Sequence, residues 1–153
     1  MRRREFLGAL IGATVAWPPG LRAEDSPKIA LVGHLAAGTE AARRAMSAAF
    51  LAAMRELGHT EDRDFKFVSR YANGDLSRLP ALAKELLGLG PDVLLVETTP
   101  GNLAAKAATT TVPIVMVSVA DPIGVGLVAG LAKPGGNVTG VTNMIGELAG
   151  KRL

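Results

Sequence analysis

The chain has 153 residues, with 17 Lys and Arg against 14 Asp and Glu, 48% apolar residues and no cysteine. Such a length suits one ordinary domain, the apolar content excludes a disordered chain, and the missing thiols exclude disulfides, thiolate metal sites and a cysteine nucleophile. The formal charge of +3 arises within residues 1–23, where Arg2, Arg3, Arg4 and Arg22 outnumber Glu5; the rest of the chain is balanced, which removes the electrostatic case for a nucleic-acid partner.

Residues 1–23 read as an export signal. Arg2-Arg3-Arg4 make a positive head, Phe6 to Ala16 an apolar stretch too short to span a bilayer, and Pro18-Pro19-Gly20 a helix break before Ala23. Arg3-Arg4-Glu5-Phe6-Leu7 is similar to a twin-arginine signal, with Arg2 and Gly8 departing from it, so the Tat and Sec routes both stay open.

Lys28 to Leu35 is a short apolar run, a buried strand expected to end at Gly33. Glu40 to Leu57 follows as a helix with Met46, Phe50, Ala53 and Leu57 on one face, Thr39 as its cap and Gly58 as its stop. Asp64 to Ala72 alternates apolar and polar residues, the pattern of a strand near a sheet edge. After the Asn73-Gly74-Asp75 turn, Leu76, Leu79, Ala83 and Leu86 mark a second helix, with Pro80 in its first turn. Asp92 to Val96 is apolar throughout and reads as a central parallel strand. An Ala-rich helix to about Ala108, a buried strand from Val112 to Val119, a short helix from Val125 to Leu131 and a last strand from Val138 to Thr142 complete the series. Glu147 to Leu153 reads as the opening of another helix.

This alternation predicts an α/β fold, a Rossmann-like parallel sheet with helices on both faces and ligands at the carboxyl ends of the strands. Thr98 and Thr99 bring hydroxyls to a helix start whose free N–H groups suit a carboxylate, and Asp121 suits an ammonium group, with Ser118 beside it. His34, expected at the end of the first strand, is a fifth candidate contact. Thr99 and Asp121 also fit a second reading as a cap and a turn residue. Neither His34 nor His59 has a carboxylate at metal-ligand spacing, so no metal site is expected. Gly33 to Gly38 lacks G-x-G-x-x-G, and neither a phosphate-binding P-loop motif nor a G-x-S-x-G elbow occurs, so no cofactor is expected and no catalytic residue is assigned.

Several stretches carry a resemblance: Arg3 to Leu7, Leu79-Pro80-Ala81-Leu82-Ala83, Ala104 to Val115, Asp121-Pro122-Ile123-Gly124 and, most distinctive, Lys133-Pro134-Gly135-Gly136-Asn137-Val138-Thr139-Gly140-Val141. With these the chain resembles the ABC-transporter substrate-binding proteins that include tryptophan- and tyrosine-binding receptors. The resemblance implies two lobes closing on a small ligand, no enzymatic activity, no cofactor, a periplasmic location and a membrane permease as partner. Residues 24–153 would then be the N-terminal lobe of a type I periplasmic-binding-protein-like fold, with the second lobe absent. Competing expectations are a periplasmic ligand sensor feeding a signalling partner and an exported flavodoxin-like enzyme.

Overall fold

The apolar runs become five strands of a single sheet. The computed structural model describes residues 29–143; the expected export segment, residues 1–23, and the expected helix opening at Glu147 lie outside the described residues. In chain order the elements are β1 (Ala30–Ala36), α1 (Glu40–Glu56), β2 (Phe65–Tyr71), α2 (Leu79–Gly88), β3 (Val93–Glu97), α3 (Thr99–Ala108), β4 (Ile114–Val119) and β5 (Val138–Thr142). A 3-10 turn, Leu76–Arg78, leads into α2.

Every strand pairing is parallel and the strand order is β2-β1-β3-β4-β5. β3, with its unbroken apolar sequence, takes the centre, and the alternating β2 takes an edge, as their patterns predict. Local signals set the helix boundaries. Thr39 Oγ1 accepts the Ala42 N–H at 3.2 Å to start α1. Asp75 accepts the Ser77 N–H at 3.0 Å to start the 3-10 turn. Pro80 and Pro100 stand in the first turns of α2 and α3, where a missing N–H costs little.

The helices cover the two faces unequally. On one face α2 and α3 close a core around Leu35, Leu86, Leu94, Val96, Ile114 and Met116. Close packing there needs Gly33, because a Cβ at that position would meet the Leu94 side chain at 2.7 Å. Among the described residues, the other face carries only α1.

Three expectations are corrected. β1 does not stop at Gly33 but runs on to Ala36, since its hydrogen-bonded register with β2 continues through Ala36 and Tyr71. The expected helix from Val125 to Leu131 is a run of turns. Gly126 has φ +72°, the Leu127 and Val128 N–H groups both donate to the Pro122 carbonyl, and Lys106 Nζ takes the Gly126 and Leu127 carbonyls that a helix would have used. The apolar stripe of α1 is not a buried core face: none of its residues is buried, and Leu57, expected at the end of the stripe, is 74% exposed.

Candidate functional site

A parallel sheet brings the carboxyl ends of all its strands to one edge, and the crevice forms where the strand order reverses. Here the reversal lies between β1 and β3. The chain leaves β1 for α1 on one face and leaves β3 for α3 on the other, so the two loops diverge and open a gap.

The rim of that gap is strained. Thr98, which follows β3 directly, has φ +63° and ψ 158°, a backbone region used almost only by glycine. Ser118, inside β4, has φ +58°. The two are neighbours, because Glu97 pairs with Val117 in the sheet and the Thr98 N–H donates to the Val117 carbonyl at 3.1 Å. Such conformations persist only when the surroundings enforce them, and they gather at ligand clamps. Asn102, fully buried, supplies part of the enforcement: its Nδ2 donates to the Val96 carbonyl at 3.0 Å and the Thr98 carbonyl at 2.8 Å. Thr98 Oγ1 and Asn102 Oδ1 are buried without a hydrogen-bond partner among the described residues. Thr98 gives α3 no side-chain cap, and the first-turn N–H groups of Thr99 and Gly101 precede any helical carbonyl they could donate to, which is the kind of place that suits an anion.

Beneath the rim lies a buried polar chain. His34 is fully buried, stacked on Phe67 with ring centroids 5.3 Å apart and set edge-on to Tyr71. Its Nε2 lies 3.0 Å from Glu97 Oε1 and its Nδ1 3.0 Å from Ser69 Oγ. A carboxylate only accepts, so Nε2 carries a proton and donates it to Glu97, while Nδ1 and the Ser69 hydroxyl share the second bond. Glu97, 2% exposed, is also contacted by Arg43, whose Nε stands 2.9 Å from Oε2 with its N–H out of line for a hydrogen bond. The Arg43 guanidinium lies against Gly38, where a Cβ would approach Nε to 2.9 Å.

The expected site residues therefore divide. Thr98, Thr99 and Ser118 meet at the rim. Asp121, exposed beyond β4, accepts the Gly124 N–H on Oδ1 at 2.8 Å, which is the turn role, and its Oδ2 takes no hydrogen bond among the described residues. His34 sits inside β1 below the rim with both ring nitrogens engaged. Sequence reasoning missed Glu97, Arg43, Ser69 and Asn102. One signal was available: on the alternation Val93, Leu95, Glu97, an acid ends an otherwise apolar row of a central strand. At the end of β2, Asp75 is held below the usual carboxylate range by hydrogen bonds from the Ser77 hydroxyl and backbone.

A groove of about 250 Å³ opens between α1 and the sheet, lined by His34, Met46, Ser47, Phe50, Leu95 and Val117 among others. No cluster of three or more His, Asp or Glu able to hold a metal occurs among the described residues, and none of their helices is long and apolar enough to cross a membrane.

A doubly wound parallel sheet places its strand ends and the strained Thr98 and Ser118 at one edge, where ligands of such folds bind. The family model described as ABC transporter substrate binding protein matches residues 36–148, and the chain belongs to that family. A tyrosine-binding protein of Clostridioides difficile (strain R20291) is 32% identical over 96 residues, which are 63% of this chain and 28% of the relative. The solved ABC domain from Streptococcus pneumonia in complex with L-Trp is 32% identical with a TM-score of 0.68, over 74% of this chain and 38% of that one. A conserved domain protein from Vibrio cholerae O1 biovar El Tor is 34% identical with a TM-score of 0.70, over 76% and 39%. The chain thus spans well under half the length of the relatives it matches.

Proposed function

We propose that this chain supplies one lobe of an exported receptor that takes up an aromatic amino acid and delivers it to the permease of an ABC importer. The observation that carries the reading is the pair of strained neighbours, Thr98 and Ser118, set beside the uncapped start of α3. A ligand carboxylate fits the N–H groups of Thr99 and Gly101 and the unpartnered Thr98 hydroxyl. The ammonium group fits the free oxygen of Asp121, with Ser118 between the two ends. His34 supports this rim from below. The relatives that bind tyrosine and tryptophan support the ligand class, and their greater length leaves room for a second lobe that closes over the ligand. The arginine-headed N-terminal segment supports export.

Calorimetric titration of the full-length gene product with L-tryptophan and L-tyrosine tests the reading. Saturable binding of at least one is expected, weakened about tenfold or more by Asp121→Ala, the loss of one hydrogen bond to a charged group. Failure to bind either amino acid removes this ligand class. Unchanged affinity in Asp121→Ala removes the ammonium assignment.

A further inference from the structure

The ion pair between Arg43 and Glu97 sits where the strand order reverses. Arg43 comes from α1, lies over Gly38 after β1, and reaches Glu97 at the last position of β3. It therefore spans the mouth of the crevice. Its side chain is 34% exposed, whereas that of Glu97 is 3% exposed, so the pair has one foot in the interior and one at the surface. Apart from Glu97, Arg43 has no side-chain or ion-pair partner among the described residues.

Glu97 is the residue immediately before strained Thr98. Its two oxygens are taken by groups on different elements, His34 of β1 and Arg43 of α1. A side chain held at both oxygens cannot rotate freely, and its own backbone is thereby restrained. On the other side of Thr98, Asn102 holds the Thr98 carbonyl. The strained residue is thus clamped from both directions, which is the condition under which such backbone conformations survive. Between α1 and the sheet, Phe50 also sets its ring against Phe65 and Phe67, beside the open groove.

We propose that Arg43 and Glu97 form a latch: Arg43 is a positioning residue that, through Glu97, holds the Thr98 rim in its binding conformation and couples α1 to it. The role in capture rests on the receptor reading above; the role in holding the rim does not. Removing the guanidinium frees one oxygen of a buried carboxylate, and Glu97 then gains water or turns away. Either outcome loosens Thr98 and the first turn of α3 without disturbing the core on the opposite face.

The test is hydrogen–deuterium exchange on the full-length gene product, comparing wild type with Arg43→Met, which keeps the aliphatic stem, and with Glu97→Gln, which is nearly isosteric and guards against a misfolded first variant. Peptides spanning 97–102 are expected to exchange about tenfold faster or more in both variants, the effect of losing one contact to a charged group, while peptides of α2 and β1 keep the wild-type rate. The double variant is expected to add little to the stronger single one, because both break the same contact. Unchanged exchange at 97–102, or acceleration spread evenly over the core, overturns the latch. Titration with L-tryptophan supplies the second arm. If wild type binds it, Arg43→Met is expected to weaken binding at least tenfold, and equal affinity overturns the role in capture. If wild type does not bind it, the ligand reading falls and the exchange data alone decide the latch.

Discussion

The two faces of the sheet are built from the same strands and have opposite characters. On the face covered by α2 and α3, alternate residues of the strands are apolar and packed closed: Leu35, Leu94, Val96 and Ile114 have no exposure. On the face covered by α1, the alternate set includes His34, Ser69 and Glu97 beside Phe67, Leu95 and Val117, and a groove remains open. All the Phe and Tyr residues of the described region (Phe50, Phe65, Phe67 and Tyr71) belong to the α1 side, where they stack on one another or on His34. The closed face supplies stability through area removed from water. The α1 face carries a buried polar network beneath the strained Thr98 rim, and a polar network costs free energy unless each member is satisfied. Ser47 Oγ of α1 lines the groove without a hydrogen-bond partner among the described residues. The difference teaches that one strand can be apolar and closed on one side and polar and open on the other, residue by residue.

Adjacent residues of β3 put the contrast to its sharpest test. Leu94→Ala removes a side chain with no exposure from the closed face and is expected to cost about 3 kcal/mol of stability. Leu95→Ala removes a groove-lining side chain from the other face and is expected to cost about 1 kcal/mol, since its surroundings are already open. Urea denaturation of both variants reads the difference, and equal losses would mean that the faces are packed alike.

A smaller effect separates stability from function at the rim. Thr98→Gly relieves the positive φ and removes a buried hydroxyl without a hydrogen-bond partner. It is expected to raise stability by about 1 kcal/mol, while weakening any ligand that uses the hydroxyl. A lower melting temperature in this variant would show that the Thr98 conformation carries no cost.

The smallest effect lies at the two ends of β2, away from both packed faces. Asp64 is held down to about 2 by the Arg63 side chain first and the Thr60 backbone second, and Asp75 is lowered by the Ser77 hydroxyl and backbone. Folded values below the unfolded ones mean that both contribute stability fully above about pH 4, and that this is lost as the pH falls through the folded values, near 2 for Asp64. Asp64→Asn is expected to flatten the stability profile between about pH 4 and 2, measured by thermal melts across that range. An unchanged profile would place the acid sensitivity elsewhere, on the carboxylates of the faces themselves.

Much of the fold was legible because it rests on local rules. The apolar run of β3 announced a central strand, the alternation of β2 an edge, and Thr39 a helix start. The expected helix after Asp121 failed because its apolar residues, Val125, Leu127 and Val128, suit a helix and a packed turn equally well. Only Lys106, from a distant helix, claims the carbonyls that decide between them. That Thr98, Thr99 and Ser118 come together was legible because strand ends can be read from the pattern. Their backbone strain was not, since nothing in a threonine or a serine signals a positive φ.

The order of elements, the parallel sheet and the edge where its strand ends collect were determined by the sequence alone, through hydrophobic period, caps and turns acting over a few residues. Tertiary structure alone decided that α1 lies loosely on its face, that His34 is sealed inside rather than presented at a strand end, and that Arg43, Glu97, His34 and Ser69 form one chain of contacts. These residues come from four elements spread along the chain, and their proximity follows from the strand order β2-β1-β3. No local pattern encodes that order, because it is set by which crossovers bury the most apolar surface once all the strands are present.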